Sequence, residues 1–110
     1  MFYYPHYIRG CFYEELSSIP LLQKQKAQLI DLRNPDTFSK SHLAGFINIP
    51  YSTLNSQLHR VRKNYPVYLL CDNGQKSEIA ATDLCTLGYK AYSFIGGYHH
   101  YSYQIDTSLY

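Results

Sequence analysis

What this chain of 110 residues lacks narrows its class before any motif is read. No run approaches the roughly 18 apolar residues that span a bilayer. Met1 to Arg9 carries aromatics but neither the basic head nor the long apolar core of a signal peptide, so no membrane association is expected. Three cysteines, Cys11, Cys71 and Cys85, are an odd number without Cys-x-x-Cys spacing, which argues against a disulfide framework and a zinc site. Reduced thiols and a cytoplasmic location are the expectation. The formal charge is only +2, and basic runs such as Arg60-Val61-Arg62-Lys63 fall at the end of an expected helix. They read as a solvated face, with no nucleic-acid partner. Tryptophan is absent and 13 tyrosines carry most of the aromatic surface; many of these rings are expected to bury their bodies and keep their hydroxyls wet.

The length is that of one domain, 1–110, able to bury a core without staples, with an aromatic leader at 1–6 and a tail at 102–110. In chain order, the pattern predicts an extended segment at Tyr7 to Cys11 and a helical turn at Tyr13 to Ser18 ended by Pro20. A polar loop at Gln23 to Lys26 leads into a buried strand, Gln28 to Leu32. Asn34-Pro35 starts a short helix, since asparagine caps and proline is tolerated in the first turn. Phe46 to Pro50 predicts a strand, and Leu54, Leu58 and Val61 predict a helix capped by Ser52. After the strand Val67 to Leu70, Ala80, Leu84 and Leu87 form the inner stripe of a helix that Gly88 ends in the left-handed conformation. Ala91 to Ile95 is the last strand, and Gly96-Gly97 turns into a final short helix.

Short apolar strands alternating with helices imply an α/β fold whose parallel sheet is covered on both faces. Such sheets bind ligands beyond the carboxyl ends of their strands. Cys71 occupies such an end, in Val67-Tyr68-Leu69-Leu70-Cys71-Asp72-Asn73-Gly74-Gln75-Lys76-Ser77. A helix starting near Gln75 or Lys76 aims its unpaired amides and positive dipole end back at this cysteine, favouring thiolate over thiol. The expected result is a nucleophile.

Ile30 to Arg33, His42 to Pro50, Cys71 to Ser77, Leu87-Gly88-Tyr89 and Gly96-Gly97, taken in that order, resemble the rhodanese homology domain, the likeness running from about Tyr7 to Tyr101. Ile30-Asp31-Leu32-Arg33 is similar to its D-x-R strand end, and His42-Leu43-Ala44-Gly45-Phe46-Ile47-Asn48-Ile49-Pro50 to its H-I-x-G-A-x-N-I-P segment. Cys71 to Ser77 resembles the loop C-x-x-G-x-R-S, and Leu87-Gly88-Tyr89 and Gly96-Gly97 match its closing elements. The resemblance implies a single domain with a five-stranded parallel sheet flanked by helices, and transfer of a sulfane sulfur through a persulfide on Cys71. It implies a small donor, thiosulfate or a persulfide, an acceptor that is cyanide, a thiol or a protein cysteine, and no metal or organic cofactor. The loop amides of Asp72, Asn73, Gly74, Gln75, Lys76 and Ser77 are expected to cradle the persulfide.

Lys76 stands where the family has arginine, and Asp72 directly after the nucleophile is expected to disfavour a dianionic donor. Tyr101 stands in place of a tryptophan. Asp31 and Arg33 are expected to brace strand ends, His42 to fix the loop after a helix, and Cys85 to face the core. His99 and His100 are adjacent, point apart on a helix and make a poor metal pair. A second reading is a non-catalytic rhodanese-like module that binds a protein. Phosphatase or arsenate reductase chemistry would want arginine six residues after the cysteine, where this chain has Ser77. The oligomeric state is not legible.

Overall fold

The computed structural model of the protein describes residues 25–100. The leader, the segments expected at Tyr7 to Cys11 and Tyr13 to Ser18, Pro20, Cys11, Tyr101 and the tail lie outside these residues.

Four parallel strands are present among the described residues: β1 (Gln28–Asp31), β2 (Ile47–Asn48), β3 (Val67–Leu70) and β4 (Ala91–Ser93), in the order β2-β1-β3-β4. The fifth strand that the family resemblance implies is not among them. β1 and β3 pair in register from Gln28 with Val67 to Asp31 with Leu70, and Leu69 lies beside Ser93. Because the chain leaves β1 outward toward β2 and leaves β3 the other way toward β4, the two connections diverge, and the crevice between them is where such sheets bind ligands.

The sheet divides two cores, as a doubly covered parallel sheet requires. On one face Ile30, Val67, Leu69, Cys71 and Ala91 pack with Leu54 and Val61 and with Ala80, Ala81 and Leu84. On the other, Leu29, Tyr68, Leu70 and Phe94 pack with Leu43, Phe46, Phe38 and Tyr98. The alternation of Tyr68 and Leu70 against Val67 and Leu69 follows from the two-residue repeat of a strand.

Local chemistry accounts for most element ends. Helix α1 (Pro35–Lys40) starts where expected, the Asn34 side chain accepting the Thr37 amide at 2.9 Å. Helix α2 (Gln75–Thr86) follows Gly74, whose φ is +93°. It ends in a Schellman motif: the Gly88 amide donates to Cys85 O and the Tyr89 amide to Leu84 O, with Gly88 at φ +97°.

Three expectations need correction. The segment after β2 is a 3₁₀ helix (Tyr51–Arg60) kinked at Gln57, and Ser52 lies inside it rather than capping it. Its first turn closes on the Pro50 carbonyl, which accepts the Thr53 amide. Leu87 is 49% exposed rather than part of the inner stripe, because as cap residue it has left the helical path and turned outward. Strands β2 and β4 are shorter than Phe46–Pro50 and Ala91–Ile95, since the Phe46 amide turns back to Leu43 O and the Gly97 amide closes a turn on Phe94 O.

Candidate active site

Cys71 directly follows β3, and its loop is held from both ends. From the helix side, the Gly74 and Ser77 amides donate to Cys71 Sγ at 3.1 and 3.2 Å. The left-handed Gly74 makes this turn possible, folding the loop so that the first amides of α2 face back on the sulfur. The Ser77 hydroxyl lies 3.4 Å from the sulfur and 2.6 Å from Ser93 Oγ. All three residues are buried.

From the sheet side, the Tyr98 amide donates to Cys71 O at 2.7 Å and the His99 amide to Asp72 O at 3.0 Å. Gly97 permits that approach. A Cβ there would lie 2.7 Å from Asn73 N and from Asp72 C and closer still to Cys71 O, so no other side chain fits. A Cβ on Gly74 would reach Gly96 N at 3.0 Å, so the loop and the double-glycine turn are pressed backbone to backbone.

Asp31 and Arg33 form a fully buried bidentate pair, Arg33 Nη2 to Asp31 Oδ2 at 2.9 Å and Nε to both carboxylate oxygens at 3.1 Å. The guanidinium also donates to Ser41 O and lies 3.6 Å from the centre of the Tyr98 ring, whose hydroxyl hydrogen-bonds Ser41 Oγ. Because the Tyr98 backbone holds Cys71 O, the ion pair at the end of β1 is linked through one residue to the cysteine loop. Asn48 adds a clasp, donating to Asp31 O and Arg33 O. His42 takes no part in this cluster: it stacks on Phe38 and its Nδ1 contacts Phe38 O, at the end of α1.

The loop residues divide. The Gly74 and Ser77 amides face the sulfur, whereas the Gln75 amide, expected in the cradle, is taken by Asn73 Oδ1 at 3.0 Å. Asp72 and Lys76 expose their side chains at the rim, Lys76 Nζ standing 5.5 Å from the centre of the Tyr51 ring. Among the described residues of the loop, the exposed side chains of Asp72 and Lys76 thus carry charges of opposite sign. Among the described residues, no group of three His, Cys, Asp or Glu could hold a metal, and no helix is long and apolar enough to cross a membrane.

Sequence reasoning missed Ser93, Tyr98 and Asn48. Ser93 left a faint signal, a small polar residue alternating with Ala91 on the face that packs against a helix. Tyr98 left none, because its partners Arg33 and Ser41 are far away in the chain.

The Rhodanese family model, described as a rhodanese-like domain, matches residues 18–104. The chain belongs to the rhodanese-like domain family. Among relatives of this rhodanese-like chain, the uncharacterized protein YqhL of Bacillus subtilis is 39% identical over 87 residues, covering 76% of this chain and 67% of YqhL. The thiosulfate sulfurtransferase GlpE of Tolumonas auensis is 34% identical over 88 residues, covering 76% of this chain and 83% of GlpE. Of solved structures, reduced CoADR-RHD of Bacillus anthracis superposes with a TM-score of 0.72 at 30% identity, over 78% of this chain and 15% of that one. A rhodanese-like domain protein of Staphylococcus aureus, 24% identical over 80% of this chain and 86% of its own, superposes at 0.71 and shows the fold alone.

Proposed function

We propose that this rhodanese-like domain is a sulfurtransferase that carries sulfane sulfur as a persulfide on Cys71. The observation that carries the reading is the pair of amides, from Gly74 and Ser77, aimed at a buried cysteine sulfur at the mouth of the sheet crevice. Amide donors stabilise an anion and do nothing comparable for a neutral thiol, so they favour the nucleophile and the perthiolate it becomes. Kinship with a protein named thiosulfate sulfurtransferase points the same way.

In the first step the Cys71 thiolate attacks the outer sulfur of a donor. A new S–S bond forms, the donor's S–S bond breaks, and its electron pair leaves as sulfite from thiosulfate or as a thiolate from a low-molecular-weight persulfide. In the second step a cyanide, thiol or protein cysteine attacks the outer sulfur of Cys71–S–S⁻ and regenerates the thiolate. Cys71 is only 3% exposed, so a donor must present its sulfur end-on, and the acceptor meets the outer sulfur. No cofactor enters either step. The Asp31–Arg33–Tyr98 cluster supports the loop and touches no reacting atom in this scheme; His42 is a support of α1. A cytoplasmic setting with its reduced thiols suits this chemistry.

Mass spectrometry after exposure to thiosulfate or a low-molecular-weight persulfide tests the proposal. The expected result is one added sulfur on the Cys71 peptide, removed by cyanide. Absence of the adduct with both donors would favour a non-catalytic, protein-binding module instead.

A further inference from the structure

A buried hydroxyl lies behind the sulfur's own partners. Ser77 Oγ is within hydrogen-bonding reach of three atoms: Cys71 Sγ at 3.4 Å, Gly74 O at 3.2 Å and Ser93 Oγ at 2.6 Å. Ser77 is 0% and Ser93 1% exposed, so these groups settle their hydrogen bonds among themselves. Ser77 has one proton to give. With Cys71 protonated, the S–H donates to Ser77 Oγ, Ser93 O–H donates to the same oxygen, and Ser77 O–H donates to Gly74 O. With Cys71 ionised, Ser77 O–H swings to the sulfur, and Gly74 O keeps the Glu78 amide that already donates to it at 3.2 Å. In both arrangements Ser93 donates to Ser77 Oγ, one of the two directions that the 2.6 Å contact allows, and leaves the Ser77 proton free to point away from β4.

We propose that Ser93 is a positioning residue that, through Ser77, gives the Cys71 thiolate a third donor beside the Gly74 and Ser77 amides. It rests on the reading of Cys71 as the sulfur carrier and extends it by one residue, from a strand that the loop motif does not include. Two hydroxyls in series polarise each other, so the outer one strengthens the bond that the inner one makes to the anion. Removing Ser93 also leaves the Ser77 oxygen short of a buried donor, so its hydroxyl is a weaker donor to the anion. The sequence supports the placement: β4 puts Ala91 and Ser93 on the face covered by α2, and the parallel register sets Ser93 beside Leu69, two residues before Cys71.

The test is the pH profile of iodoacetamide alkylation at the Cys71 peptide, followed by mass spectrometry on the full chain. Native protein is compared with Ser93→Ala, Ser77→Ala, the double variant and Ser93→Thr. Asp72, Lys76, Glu78, Asp31, Arg33, Tyr98, His99 and His100, charged and titratable groups around the loop, stay in place throughout. Ser93→Ala is expected to move the profile to higher pH and slow alkylation near neutrality about threefold to tenfold. Ser93→Thr, which keeps the hydroxyl, should restore the native profile, and the double variant should behave as Ser77→Ala alone. Alanine is smaller than serine and leaves the backbone ladder of β4 intact, and circular dichroism verifies the fold. A Ser93→Ala profile overlaying the native one, a Ser93→Thr profile that stays shifted, or losses that multiply in the double variant would each overturn the proposal. Alkylation needs no sulfur donor, so failure here is separable from failure of Cys71 to take up sulfur.

Discussion

Cys71 and Cys85 lie at opposite ends of the same helix and meet opposite chemistry. At the amino end of α2, Cys71 Sγ receives the Gly74 and Ser77 amides. In the last turn, Cys85 is half-buried and its Sγ donates to Ala91 O at 3.5 Å. Free N–H groups at a helix start are satisfied by a sulfur that accepts, whereas a carbonyl is satisfied only by a sulfur that keeps its proton. Cys71 is the more buried of the two, so its proposed reactivity rests on the groups aimed at the sulfur and not on exposure. The glycines beside each cysteine differ in the same sense. Gly97 lies against the Cys71 loop with no room for a Cβ, while a Cβ on Gly88, which closes the turn after Cys85, would meet only the Lys63 side chain at 3.8 Å.

The largest expected effect breaks the contrast outright. Cys71→Ser should reduce sulfur transfer to the level without enzyme while preserving the fold, because the hydroxyl is nearly isosteric but far less ionised. Thiocyanate formation and a melting curve measure the two, and retained turnover would end the mechanism.

Next come the glycines. Gly97→Ala should destabilise the domain by about 3 kcal/mol through backbone collision and strained φ, and should depress transfer by displacing the loop. Gly88→Ala, with the same sign of φ but open space, should cost about 1 kcal/mol and leave activity intact. Urea titration of the two variants compares them directly, and equal costs would refute the packing argument.

Cys85→Ala should lower stability by roughly 1 kcal/mol, through lost packing against the Ala81 and Leu84 face of the core, with transfer unchanged. A collapse of activity at constant melting temperature would instead make Cys85 a resolving thiol.

Asp72→Asn is the smallest. The exposed carboxylate is screened by solvent, so thiosulfate and persulfide rates should each move less than about threefold. Rates with both donors at two ionic strengths decide it; a large gain confined to thiosulfate at low salt would show that Asp72 governs donor choice.

Much of this was legible in the chain because the signals were local. Asn34 caps a helix through the amide three residues on, Gly74 and Gly88 mark positive φ, and the run Val67 to Leu70 ending at Cys71 sets the sulfur before a helix start. Each depends on neighbours within one helical turn or along one strand. The same reach explains the errors: Leu87 fits the helical period, but the period does not reveal that the Schellman turn has already begun there. Composition and motif order were therefore enough to determine an α/β sheet with a cysteine loop at its carboxyl edge. Only the tertiary structure decided that Gly97 presses on Cys71 O, that Arg33 reaches the loop through Tyr98, and that Ser93 lies behind Ser77. These contacts join strands brought together by crossovers, and their distances depend on sheet order and register, which no short window of sequence encodes.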